Sequence, residues 1–320
     1  MERDEAAIAM EADAQRKVID QTLFQPLTVP EFAGEDTGRP AVGYWSDVWR
    51  RLRKHKLAMT GLALIAVITV MAVVGPYLSG HGYAQQNLSL TNVRPNASYW
   101  FGTDNLGRDL FTRVWDGGRI SLLIGLLTSV ICLAIGVFYG GISGFAGGRV
   151  DNVMMRLLEV LYSIPFMLYV LLFMVTLGPG LKTILIALGI TYWMDMARVV
   201  RGQVLSLKEQ EYVLAARGLG AGTWRILTRH LIPNTMGPII VTATLLVPQA
   251  IFTEAFLSFL GLGVSAPMAS WGVLASNGID SLSVYPWQLF FPALFISLTM
   301  LAFNFLGDGL RDALDPRLRK

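Results

Sequence analysis

Six stretches of this 320-residue chain are too long and too apolar to be buried in a water-soluble domain: Leu57–Leu78, Ile120–Phe145, Leu157–Leu177, Ile184–Val200, Met236–Leu262 and Trp287–Leu306. About 20 apolar residues in a helix cross the roughly 30 Å of hydrocarbon in a bilayer. The expected fold is therefore an all-α membrane protein with six transmembrane helices. Charged residues are only 15% of the chain, against about 25% in soluble domains. Ile184–Val200 is the shortest run and carries Asp195 and Arg198 at its end. The first run follows 56 residues, is too long for a signal-peptide core and has no small-residue cleavage site, so it reads as a span. The single Cys132 falls inside the second span, which leaves disulfides no part.

Orientation follows from the basic residues. With the N-terminus inside, 17 of the 26 Lys and Arg lie in cytoplasmic segments beside the spans, against five outside (Arg94, Arg108, Arg113, Arg119 and Lys182). The positive-inside rule then places both termini in the cytoplasm. Residues 1–43 read as a polar cytoplasmic tail, helical over Glu5–Leu23 and interrupted later by Pro26, Pro30 and Pro40. Residues 44–118 form a second region. It opens with a helix in which Tyr44, Trp45, Val48, Trp49 and Leu52 share one face opposite Arg and Lys, the pattern of a helix lying in the membrane interface. The first span follows, then an outward loop that Gly102, Gly107, Gly117 and Gly118 divide by turns. In that loop Asp104, Arg108, Asp109 and Arg113 are spaced to pair with one another. Residues 119–320 hold the remaining spans. The first of these, the chain's second span, carries Gly136-x-x-x-Gly140, the small-residue spacing that lets two membrane helices approach closely. The outer segment Gly263–Pro286 reads as a compact turn or short helix.

Between the fourth and fifth spans lies a polar insert, residues 201–235. Tyr212, Ala215, Ala216 and Leu219 share one face of a short helix, and Gly220 suits the left-handed residue that ends it. A second short helix then presents Trp224, Leu227 and Leu231 on one side, and Pro233 stops it before the fifth span. Spacing alone is compatible with a docking surface for a partner and with an amphipathic segment lying on the membrane.

The insert resembles the EAA loop of permease subunits in binding-protein-dependent ABC importers, whose pattern is E-A-A-x3-G-x9-I-x-L-P. Here it falls on Leu214, Ala215 and Ala216, then Gly220, then His230, Ile232 and Pro233; Leu214 stands for the Glu, His230 for the Ile and Ile232 for the Leu. The segments WFGTDNLGRDLFTRVWDGGRISL, GGRVDNVMMR, ARVVRGQVLSLKEQEYVLAARGLGA, RHLIPN, TEAFLSFLGLG and GDGLRDALDPRLRK are similar to the C-type permeases of oligopeptide and dipeptide ABC importers, a group that also holds nickel permeases. The resemblance runs from about Trp45 to Lys320 and lies nearest the oligopeptide branch. It implies the type I ABC importer permease architecture in a bacterial cell membrane. It further implies a second homologous permease subunit, two ABC ATPase subunits and an extracytoplasmic peptide-binding protein as partners. ATP and Mg would bind those ATPases, with no cofactor on this chain. The insert would then be a coupling helix meeting an ATPase through Tyr212, Ala215, Ala216, Arg217, Gly220, Arg225, His230 and Pro233.

Inside the spans, Glu254 is the deepest ionisable residue, in a helix weakened by Pro238 and Pro248. Such residues line a pathway or pair inside a complex, and both readings stand for it. Asp195 and Glu159 have Arg198 and Arg156 within helical reach. Asn304 and Asp308 line the inner mouth or, for Asp308, bond Arg311. Asp104, Arg108 and Asp109 contact a loaded receptor or hold their own loop together. There is no GxxxxGK[ST] loop, and His55, His81 and His230 are too scattered for a metal cluster or a catalytic triad. The chain is expected to be no enzyme, and no nucleic-acid partner is expected. The rival reading, a self-contained secondary transporter or channel, predicts inverted repeats with paired broken helices, which the sequence does not display.

Overall fold

A computed structural model describes residues 43–315. The expected tail helix over Glu5–Leu23 and the three tail prolines lie outside the described residues, as do the last five residues of the chain. From Trp45 onward the chain packs as one unit, and every long element among the described residues is helical.

Helix α1 spans Tyr44–Lys54 and α2 spans Lys56–Val74. Next come α3, Leu110–Ala146; α4, Gly148–Tyr162; α5, Phe166–Leu177; and α6, Leu181–Leu207. The insert holds α7, Glu211–Gly218, and α8, Thr223–Ile226. Last are α9, Met236–Phe259; α10, Trp271–Ile279; and α11, Trp287–Leu314. Among the described residues five helices are long and apolar enough to span a membrane alone, and the bent pair α4–α5 is long and apolar enough when its two helices are taken together.

That pair corrects the expected third span. The apolar run Leu157–Leu177 is not one helix: α4 and α5 meet at 74° across Ser163, Ile164 and Pro165. Proline disfavours helical backbone in the residue before it and has no N–H to continue the ladder. Only the end of α4 is therefore apolar, and its first half is polar.

Helix α3 starts ten residues before the expected span. Asp109 caps it, accepting from Thr112 N at 3.1 Å, as a short carboxylate does at a helix N-terminus. Gly117 and Gly118 consequently lie inside a helix and not in turns; a side chain at Gly118 would strike the Trp271 indole. The fourth span, the shortest in the sequence, becomes the 27-residue α6, which packs lengthwise on α3. A Cβ at Gly136 would fall 2.6 Å from Met196 Cβ, and one at Gly140 would overlap the Ala197 carbonyl. Close approach of this kind replaces the hydrophobic drive that lipid does not supply between membrane helices.

On the face opposite the insert, Leu110, Phe111, Trp115 and Trp271 form an aromatic core with Phe101, Phe291 and Phe295. Trp271 is fully buried, and its Nε1 donates to the Val114 carbonyl at 2.7 Å. Helix α1 departs from the interfacial expectation: Val48 and Leu52 are buried beside Val241, Ala313 and Leu314, while Trp49 is 47% exposed. Its apolar face thus divides between protein and surroundings.

Candidate functional site

The insert folds as two short helices held to the bundle by a few deep anchors. Val213, Ile226, Leu227 and Leu231 are buried in one cluster with Val200 and Val204 of α6 and Ile239 and Leu246 of α9. Helix α7 ends in a Schellman turn. Gly220 adopts φ +82°, its N–H donates to the Arg217 carbonyl and that of Ala221 to the Ala216 carbonyl, both at 3.0 Å. Only glycine enters this left-handed conformation at no steric cost.

Pro233 does not stop the second helix. It occupies the first turn of Ile232–Asn234, where a missing N–H costs nothing. The accommodation lies upstream, in a π turn over Leu227–Leu231 that closes with Ile232 N–H on the Leu227 carbonyl. Insertions of this kind recur at functional sites. The expected face of Trp224, Leu227 and Leu231 is corrected accordingly: Trp224 is 60% exposed while Ile226 joins the buried side.

What the insert leaves outside is a surface of Tyr212, Leu214, Ala215, Leu219 and Trp224 flanked by Arg217, Arg225 and Arg229. Leu219 is 90% exposed. Ala216 and His230 are half-buried, Gly220 and Pro233 exposed. Partial burial holds the Tyr212 phenol above its usual pKa.

A clamp that sequence reading missed braces this region. Arg201 of α6 donates through Nε and Nη2 to the two Asp151 carboxylate oxygens of α4, each at 2.6 Å. Ser143 of α3 donates to the same carboxylate at 2.5 Å, and Lys208 reaches the Gly144 carbonyl at 3.1 Å. Three helix ends meet there. Fifty residues separate the two ionic partners, and no local spacing reveals such a pair.

The remaining candidates separate. Glu254 is fully buried. Ser258 Oγ and Ser270 Oγ donate to its Oε1 at 2.6 and 2.5 Å, and its Oε2 has no hydrogen-bond partner among the described residues. It ties α9 to α10 and lines no open passage in this conformation. Asp195 and Glu159 pair with Arg198 and Arg156 at 3.3 Å, as the helical spacing suggests. Asn304 and Asp308 are exposed on α11. No ion pair joins Asp308 to Arg311 among the described residues; the carboxylate engaged nearby is Asp312, 3.5 Å from His55 Nε2.

In the 79–109 loop, Arg108 Nε donates to Asp104 at 2.7 Å, and Arg113 lies 3.6 Å from the same carboxylate. Asp104 and Asp109 are 8% and 2% exposed. The three expected receptor contacts thus hold their own loop and the start of α3. Among the described residues, no three of His, Cys, Asp and Glu converge as metal ligands would.

Known proteins match this chain over most of its length. The family described as binding-protein-dependent transport system inner membrane component matches residues 133–320. The N-terminal TM domain of oligopeptide transport permease C matches residues 43–97. The dipeptide transport system permease protein DppC of Bacillus subtilis is 59% identical over 283 residues, 88% of each chain. The oligopeptide transport system permease protein OppC of the same organism is 54% identical over 302 residues, 94% of this chain and 99% of that one. OppC of Escherichia coli K12 is 46% identical over 277 residues, covering 86% and 92%. Among solved structures, a chain of the MetNI methionine ABC transporter in an inward-facing conformation is 19% identical with a TM-score of 0.50. It covers 64% of this chain and 96% of that one, a likeness of fold.

Proposed function

The chain belongs to the family of binding-protein-dependent transport system inner membrane components, and from that membership we propose that it is the permease half of a peptide importer driven by partner ATPases. Relatives named for dipeptides and for oligopeptides match it almost equally well, so the reading covers short peptides as a class, oligopeptides included. The insert faces the cytoplasm, as the excess of Lys and Arg on that side requires, and both termini lie with it. The partners are a second permease of similar fold, two ATPases that carry ATP and Mg, and an extracytoplasmic peptide-binding protein.

The observation that carries the coupling role is the pairing of rigid anchoring with open display. Val213, Ile226, Leu227 and Leu231 are sunk in the bundle, while Leu219 and Trp224 stand free on the tip beside Gly220. Tyr212, Leu214, Leu219 and Trp224 are all exposed on the same short insert, and an apolar patch of this kind marks a surface for a partner. A push on this tip by a closing ATPase moves the helices below it, the alternating access of two states biased by ligand.

The test is ATP-driven uptake of labelled peptide by proteoliposomes holding the assembled complex, with the native chain and with Leu219→Glu. The variant is expected to fold as the native chain does and to lose uptake at least tenfold while the ATPases still bind nucleotide. Undiminished uptake refutes the coupling surface. Peptide movement down an ion gradient by this chain alone refutes the importer reading.

A further inference from the structure

One groove on the cytoplasmic side is not used by the coupling surface. It is a cavity of about 870 Å³ between α4 and α6, lined by Asn152, Arg156, Glu159, Arg198 and Arg201 together with apolar Leu158. Its size is that of a small-molecule site.

Each arginine there has a carboxylate, but the ties differ in kind. Arg201 holds Asp151 by two 2.6 Å contacts, and Asp151 is nearly buried. That pair is fixed. Arg156–Glu159 and Arg198–Asp195 are single contacts at 3.3 Å between side chains 39% to 80% exposed. Ion pairs so exposed are worth little, and an incoming ion displaces them readily.

Arg198 is also prepared for a new partner. Its Cζ lies 4.1 Å from the centroid of the Tyr162 ring. This cation–π contact steadies the guanidinium plane and leaves its N–H edge available for a carboxylate. Arg198 stands about 26 Å along α6 from Leu181, near the inner boundary of the hydrocarbon. Charged groups at that depth face protein or an aqueous path and not lipid tails.

We infer that this groove is a passing subsite for the ionised ends of the transported peptide. Arg156 and Arg198 take its C-terminal carboxylate, and the released Glu159, with Asp195 beside the groove behind Arg198, takes its amino terminus. The inference rests on the peptide-importer reading above. Two cations and two anions that exchange partners fit a zwitterion and neither a lone anion nor a lone cation. A grip on the termini alone is blind to side chains, which suits cargo of varied sequence. Because each new ion pair replaces an old one, the hold is weak, and a pathway must bind weakly enough to release.

A zwitterionic phospholipid headgroup offers similar charges, so the test has two arms. In the first, the assembled importer in liposomes takes up one labelled tetrapeptide with a free or an amidated C-terminus. Arg156→Gln combined with Arg198→Gln is expected to lower free-acid uptake about tenfold and leave amidated uptake as in the native complex. Arg198→Lys, which keeps the charge, is expected to retain most of the native preference. An equal loss for both peptides makes the arginines structural, and no loss takes the groove off the path; either overturns the inference.

In the second arm, Asn152→Cys is labelled with a thiol reagent, the native Cys132 being buried. Protection by peptide is expected. Protection by phosphatidylethanolamine alone, indifferent to peptide, overturns the inference while the importer reading survives. A native complex that imports neither peptide removes both.

Discussion

Cutting the Asp151–Arg201 clamp from each side in turn gives unequal losses, and the structure says which is larger. In Arg201→Gln the Asp151 carboxylate, 8% exposed, keeps only the Ser143 hydroxyl. Removing one partner of a buried pair costs about 3–5 kcal/mol. Arg201 is itself 33% exposed, and solvent screening of that side reduces the expected loss to about 2–3 kcal/mol. In Asp151→Asn the amide still accepts from Ser143, while the freed guanidinium turns to water. The expected cost is about 1–2 kcal/mol, that of a weakened charged hydrogen bond.

The double variant is expected to lose less than the two single losses together, with a coupling energy of about 1–2 kcal/mol. Equilibrium unfolding of the native chain and the three variants in mixed micelles measures all of these. The reasoning is refuted by an Arg201→Gln loss under about 0.5 kcal/mol. It is equally refuted by Asp151→Asn costing as much as Arg201→Gln, because burial of the carboxylate is what makes the two sides unequal.

Other substitutions separate packing from function. Gly140→Leu drives a side chain into the Ala197 backbone and is expected to cost at least about 3 kcal/mol, at the upper end of overpacking losses, read by thermal melting in detergent. Gly202→Ala, on α6 with open space around its Cβ, is expected to stabilise by about 0.5–1 kcal/mol in the same melt. Glu254→Gln keeps an acceptor for Ser258 and Ser270 and is expected to leave peptide uptake within twofold of native; a tenfold loss would return Glu254 to the transport pathway.

The spans were legible because apolar length is a sum over many residues, and no single residue can reverse it. What escaped was backbone geometry inside an apolar run. Leu157–Leu177 carries one charged residue, Glu159, near its start, and only Pro165 marks the place where α4 turns 74° into α5. Gly117 and Gly118 misled in the other direction: glycines that read as turns are there for the Ala269 and Trp271 surfaces they meet. In the insert, Gly220 was readable from its position after an apolar helix, since one residue type fits that conformation. Trp224 was not, because the π turn advances fewer degrees per residue than an α-turn and rotates Leu231 away from it toward Ile226. Asp104 and Arg108 announced their pairing at i+4. The burial of Asp104 and the half-burial of Arg108 come from the loop folding over them.

A lever transmits a push only if its joints are stiff, and the weakest joint here is Thr235. From Thr223 to Phe259 the chain is helical except at that residue. Thr235 is fully buried; its N–H is shared between the Leu231 and Ile232 carbonyls, both at 3.0 Å, and its hydroxyl donates to Ile232 at 2.8 Å. On the far side the Thr235 carbonyl accepts from Ile239 N–H at 3.3 Å, so the joint is closed by hydrogen bonds on both sides of the break. Beyond it, α9 rises about 36 Å and ends where Glu254 grips Ser270 at the start of α10. The same cluster that anchors Val213 and Leu231 contains Val200 and Val204 of α6, and α6 is locked to α3 along the Gly136–Gly140 contact. A displacement of the insert tip cannot be absorbed locally. In the proposed coupling role such a displacement would tilt α3, α6 and α9 together and carry α10 with them, so that an event at a partner ATPase would be felt at the far end of the bundle.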